Sequence, residues 1–190
     1  METMDEGLQT TTGRKLKIAI TGPESTGKSS LAEALALKFG CAWVPEYARQ
    51  YLNNLNRPYT FEDIAEIARG QQKMILEAER KHDRILFCDT ELLVTLVWSV
   101  FRFGQCDPWI SSELEKQQFD LYLLCDIDLP WEEDPLREHP DRRQELFEIY
   151  RREITRRSFP YFLVSGTGNQ RTASAAAEIF RCFPDLKPIA

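Results

Sequence analysis

Apolar and polar positions follow two alternating patterns along this chain, and the points of change mark its elements. Short apolar runs, several rich in β-branched residues, occur at 16–21 (LKIAIT), 42–44, 84–88 (RILFC), 121–125 (LYLLC) and 161–164 (YFLV). Runs this short, bounded by polar residues, proline or glycine, predict buried strands. Between them, helical spacing recurs over 30–39, 47–55, 60–81, 92–103, 111–119, 142–157 and 172–183. The longest carries a stripe of Ile64, Ile67, Ala68, Met74, Ile75 and Ala78 behind a Thr60/Asp63 start signal. Ser111 or Ser112 is the expected cap of the 111–119 helix. Strands alternating with helices predict an α/β fold: a doubly wound, five-stranded parallel sheet with helices on both faces. Such sheets bind ligands beyond the C-terminal strand ends. There the chain places a glycine loop, Glu46, Asp89, Asp126 to Asp128, and Gly166.

The glycine loop sharpens the picture. Gly22-Pro23-Glu24-Ser25-Thr26-Gly27-Lys28-Ser29 fits G-x-x-x-x-G-K-[ST] between a strand and a helix, the context in which this P-loop pattern is meaningful. Gly22 and Gly27 let successive backbone N–H groups point at phosphate oxygens, and the helix N-terminus adds positive potential. Lys28 is expected to bridge the β- and γ-phosphates, and Ser29 to hold Mg²⁺. Residues 22–30, through Ser30, form the expected nucleotide site, with ATP and Mg²⁺ as cofactors. A guanine-reading N-K-x-D is absent after the fourth strand.

At 190 residues the chain has the size of one domain: a flexible polar leader over 1–15 and a single P-loop domain over 16–190. A net charge of −6 gives no general basic field for nucleic acid. The paired arginines at 142–143, 151–152 and 156–157 read as a solvated helix face. Five cysteines without C-x-x-C spacing read as reduced thiols, and two histidines, His82 and His139, are too few for a histidine-based zinc site. No run approaches a membrane span, so the expected place is the cytoplasm and the expected partner a small-molecule acceptor. The pattern assigns no oligomeric state.

Phosphoryl transfer needs metal ligands, a group facing the acceptor and positive charge on the transferring phosphoryl. Asp89, closing ILFCD, is either a metal-side acid or an N-cap. Glu46 either accepts a proton from an acceptor hydroxyl or pairs with Arg49 on the surface. The proline-punctuated stretch at about 129–143 is either a lid or a solvated loop, with Arg137, Arg142 and Arg143 as the arginines that would cover phosphates. Trp43 and Trp98 read as core, Trp109 as exposed and His139 as surface. The loop at 166–171 is the expected adenine contact.

GPESTGKSS, E-Y-x-R after the second strand, FCDTELLVT and DLYLLCDIDLPWEEDPLREHPDRR together resemble the nicotinamide riboside kinase domain of NadR-type proteins. The resemblance runs from about Lys17 to the C-terminus. Its specific part is Pro130, Trp131, Asp134, Leu136, Arg137, Asp141 and Arg142. It implies a nucleoside-kinase-like fold with a lid, and ATP- and Mg²⁺-dependent phosphorylation of the ribose 5′-hydroxyl of nicotinamide riboside to the mononucleotide. It also implies that Lys28 and Ser29 serve ATP and metal, that Glu46, Tyr47, Arg49 and Asp89 line the acceptor side, and that Arg137 and Arg142 belong to the lid. Larger members carry an adenylyltransferase domain, some with a DNA-binding helix-turn-helix, for which 190 residues leave no room. The family pattern has Trp before the strand-two Glu; here Pro45 stands there, a departure that bears on nicotinamide specificity unless Trp43 or Tyr47 substitutes for the ring. The alternatives are another nucleoside or deoxynucleoside kinase, or a non-metabolic ATP-binding regulator.

Overall fold

Five strands, β1 (Leu16–Thr21), β2 (Trp43–Val44), β3 (Ile85–Asp89), β4 (Leu121–Cys125) and β5 (Tyr161–Val164), form one parallel sheet in the order β2-β3-β1-β4-β5. The computed structural model describes residues 15–81 and 84–186, so His82 and nearly all of the expected leader lie outside the described residues. In register, Ile18 stands beside Phe87 and Leu121, and Ile20 beside Asp89 and Leu123. Every residue of β3 and β4 is buried, as their unbroken apolar runs require of central parallel strands. The sheet predicted from the sequence is the sheet observed.

Alternate residues of β1 pack in opposite directions. Ile18 and Ile20 join Leu35 and Phe39 of α1 (Lys28–Phe39) and Ile179 of α7 (Gly168–Cys182) on one face. Ala19 joins Leu86, Cys88 and Tyr122 on the other, under α3 (Phe61–Lys81). A second cluster on that side joins α3 to α4 (Leu92–Phe103), α5 (Pro108–Lys116) and α6 (Arg143–Arg156). Side chains such as Phe87 and Leu35 are wholly buried, and burial of this kind stabilises by about 1.5–3 kcal/mol each. All five cysteines are free, as expected.

Several helix boundaries differ from the sequence reading. The α5 helix starts at Pro108, not Ser111, because the Asp107 carboxylate caps it by accepting the Trp109 N–H at 2.7 Å and proline suits the first turn. The last helix starts at Gly168, four residues before the expected 172. The helix after Pro45, α2, spans only Tyr47–Asn53. The Thr60 signal holds: its N–H donates to Asp63 Oδ2 at 2.7 Å. Among the described residues, no helix is long and apolar enough to cross a membrane.

Candidate active site

The P-loop leaves β1 at the centre of the sheet and enters α1. Gly22 has φ 133°, and a Cβ there would meet Cys125 O at 2.9 Å, so the loop can lie against β4 only with glycine in place. Gly27, at φ 70°, would drive a Cβ to 2.9 Å from Leu129 Cδ1, at the start of the lid. Residues 22–30 all line one cavity of about 630 Å³, which places the whole predicted nucleotide loop on a single space. Lys28 Nζ, on that wall, donates to Pro23 O at 2.8 Å.

Below the loop, Ser29 Oγ donates to Asp89 Oδ2 at 2.5 Å. Asp89 is 1% exposed, and its Oδ1 is buried without a partner. Burial, and then the nearby Glu46 charge, push its carboxyl up to about 6. An orphaned carboxylate oxygen beside a serine hydroxyl is a hard oxygen set that fits Mg²⁺. Among the described residues no cluster of three or more His, Cys, Asp or Glu could hold a metal, so such an ion would complete its shell with phosphate and water oxygens. Two residues on, Glu91 caps α4 through the Leu93 N–H at 2.6 Å. Burial raises its carboxyl to about 7.

On the acceptor side the structure brings some predicted residues together and separates others. Glu46 and Arg49 line the cavity; Tyr47 does not. The Tyr47 ring occupies the space that a side chain on Gly70 would need, with Cε1 2.0 Å from the Cβ position. Gln71 fixes this turn by accepting the Tyr47 N–H at 2.7 Å and donating to Pro45 O at 3.2 Å. Trp43 packs against the core beside α1 instead of facing the cavity. The aromatic wall comes from Tyr59, Trp98 and Phe101, with Tyr150. Trp98, read from sequence as core, packs against the cluster that joins α3 to α6 and also lines the cavity. Trp98 Nε1 donates to Tyr59 Oη at 3.1 Å, and Tyr59 Oη donates to Glu138 Oε2 at 2.7 Å. Trp109, read as exposed, is half-buried under the Arg69 guanidinium, 4.8 Å from its ring. Arg57 also lines the cavity, held through two bonds to Asp63 at 2.6 and 2.9 Å. That guanidinium keeps the Asp63 carboxyl well below the usual range.

The segment expected to be a lid lies over the loop. Arg49 donates to Asp134 at 2.9 Å, and Arg137 Nη1 reaches Ser25 Oγ at 3.3 Å. Arg143 donates to Ser25 O at 3.1 Å and to Leu129 O. Arg142 is not brought to the site: it pairs with Glu145 at 2.8 Å and lies over Phe101, 4.1 Å from the ring centroid. His139 is not a surface residue, since its ring packs on Phe101 and its Nε2 is buried without a hydrogen bond. Beyond β5, Gly168, Asn169 and Arg171 of the loop expected to contact adenine line the cavity together with Thr172. Buried Arg171 bonds Asp128 Oδ1 at 2.8 Å, Gly166 O at 3.0 Å and Thr26 O at 3.0 Å, tying the segments that follow β4 and β5 to the P-loop.

Residues 17–171 match the family model described as an AAA domain. The trifunctional NAD biosynthesis/regulator proteins NadR of Salmonella typhimurium and Escherichia coli are each 31% identical to the chain over 124 residues. That match covers 63% of this chain and 30% of each relative, so the chain spans less than a third of their length. Among solved structures, a NadR protein in complex with NR superposes with a TM-score of 0.75 at 21% identity, over 88% of this chain and 50% of that one. A deoxyadenosine kinase from M. mycoides superposes with a TM-score of 0.61 at 17% identity, over 87% and 100%.

Proposed function

This chain belongs to the AAA-domain family, and from that premise we propose that it is an ATP-dependent kinase acting on the ribose 5′-hydroxyl of nicotinamide riboside, giving nicotinamide mononucleotide. One observation carries the reading: a single cavity is lined at once by the phosphate loop, by Glu46 and by the aromatic wall of Tyr59, Trp98 and Phe101. A phosphate donor and a flat-ringed nucleoside therefore share one space, with a carboxylate available to the hydroxyl. The likeness to NadR proteins, one of them holding NR, and to a deoxyadenosine kinase supports the same class.

The roles follow from placement. The P-loop amides and Lys28 bind the β- and γ-phosphates and neutralise charge that grows in the transition state. Ser29 and Asp89 would hold Mg²⁺, which supplies further charge neutralisation on the phosphate oxygens when bound. Glu46 orients the acceptor hydroxyl and takes its proton. Arg137, reaching the loop from the lid, faces the transferring phosphoryl, and the lid keeps water away. The aromatic faces suit a cationic pyridinium base through their quadrupoles.

The test is ADP release with Mg·ATP and a panel of nucleosides, with Lys28→Ala as a folded, inactive control. Nicotinamide riboside is expected to give the highest kcat/KM and a mononucleotide product. A purine or pyrimidine nucleoside preferred over it would overturn the acceptor assignment, and ADP release indifferent to every nucleoside would overturn the kinase.

A further inference from the structure

The P-loop pattern leaves four positions open between its glycines, because backbone amides perform the phosphate binding. Here two of those positions face the lid. Glu24 accepts the Glu138 N–H on Oε2 at 2.9 Å and the His139 N–H on Oε1 at 2.7 Å, so both carboxylate oxygens engage the lid backbone. Ser25 Oγ accepts the Glu132 N–H at 2.9 Å and Arg137 Nη1 at 3.3 Å. Ser25 holds a left-handed φ of 56°, a strained value for a residue with a side chain. Two adjacent residues of the loop therefore grip the lid near both ends, at 132 and at 138–139. An acid within an anion-binding loop works against triphosphate affinity. Charge-assisted bonds to two successive amides give that carboxylate a different task.

We propose that Glu24 and Ser25 latch the lid to the phosphate loop, and that Glu24 thereby positions Arg137 and favours phosphoryl transfer to the acceptor over transfer to water. This rests on the kinase reading above. Every contact in the latch is between protein groups, so it needs no nucleotide to hold. Arg137 directly precedes the two amides that Glu24 grips, and freeing them frees its guanidinium. In an opened lid, water replaces the acceptor hydroxyl as attacking group. The β–γ bond breaks, and ADP, inorganic phosphate and a proton are released. Glu24 is a positioning residue that acts through Arg137.

Two measurements on the nucleotide-free protein and on turnover decide the matter. In Glu24→Ala, amides at 138–139 are expected to exchange with deuterium about tenfold faster than in the parent. ADP release without acceptor is expected to rise about tenfold relative to release with it. Glu24→Gln, which keeps one acceptor oxygen and loses the charge, should fall between. If Glu24→Ala does not fold, Ser25→Ala carries the same test at the Glu132 amide. Unchanged exchange in a folded variant overturns the latch, and faster exchange with an unchanged ADP ratio overturns its role. Exchange needs no nucleoside, so it judges the latch even where every acceptor fails and the kinase reading falls, whereas the ADP ratio judges the latch's role in transfer.

Discussion

Ser29 Oγ donates a 2.5 Å hydrogen bond to Asp89 Oδ2, joining the first turn of α1 to the last residue of β3. Glu46, in contrast, lines the cavity and bears on Asp89 only through space, raising the cost of its charge. These placements divide the labour between the two carboxylates. Asp89→Asn should raise the Mg²⁺ concentration needed for half-maximal activity by about 10–100-fold. Glu46→Gln should lower kcat by about 10²–10⁴-fold with KM for ATP nearly unchanged. Titrating activity with Mg²⁺ in both variants checks this, and equal Mg²⁺ shifts would undo it.

Buried Asp89 and Glu91 should make stability fall as pH rises towards neutrality. Their ordinary values of 3.8 and 4.5 rise on folding to about 6 and about 7. In that window the native state binds more protons than the unfolded chain. Stability from these two groups is thus full below their unfolded values and is lost as pH climbs through the folded ones. Asp63, with its carboxyl depressed by Arg57, acts in the opposite sense: its contribution holds above 3.8 and is lost as pH falls further. Melting temperatures of the nucleotide-free protein between pH 5 and 8 should therefore fall with pH more steeply in the parent than in Glu91→Gln. Parallel curves would show that Glu91 does not carry a raised value.

The two lid arginines of the sequence pattern should separate on mutation. Arg137→Ala, removing a guanidinium held against the P-loop, should cost about 2–4 kcal/mol of transition-state stabilisation with little change in melting temperature. Arg142→Ala removes only an exposed pair with Glu145 and a contact with Phe101, so kcat/KM should stay at the parent value. Kinetics of the two single variants side by side check the assignment, and equal losses would contradict it.

Trp98 should govern the acceptor and not the donor. Trp98→Ala removes one face of the aromatic wall and the donor to Tyr59, so KM for the nucleoside should rise about tenfold or more, leaving KM for ATP near the parent value. Tyr59→Phe keeps the ring and breaks the link to Glu138, and should show a smaller rise. A loss in ATP affinity alone would place Trp98 elsewhere in the reaction.

The strands and the nucleotide loop were legible because each signal is local: an unbroken apolar run, or fixed residues at fixed spacing. The cavity walls were not. Trp98 sits in a helical run of apolar residues, and periodicity marks which side of a helix faces inward without saying whether core or empty space lies there. Tyr59, His139 and Arg171 take their roles from segments distant in sequence, such as Phe101 for His139 and Thr26 for Arg171. The start of α5 was legible in principle, since Asp107-Pro108 is a cap followed by a first-turn proline; Ser111 and Ser112 were the stronger distraction.

The fit of Tyr47 against Gly70 has a bearing on how such a pocket can change. A seven-residue helix is too short to hold itself in water, so α2 takes its place from what it rests on. It rests on a notch in α3, a helix that contributes no residue to the cavity wall. A methyl group at position 70 would displace the Tyr47 ring and carry Glu46 and Arg49 with it. Acceptor preference in this chain is therefore open to tuning from a site that no ligand touches, and variation at that glycine would retune the chemistry while every residue facing the substrate stayed the same.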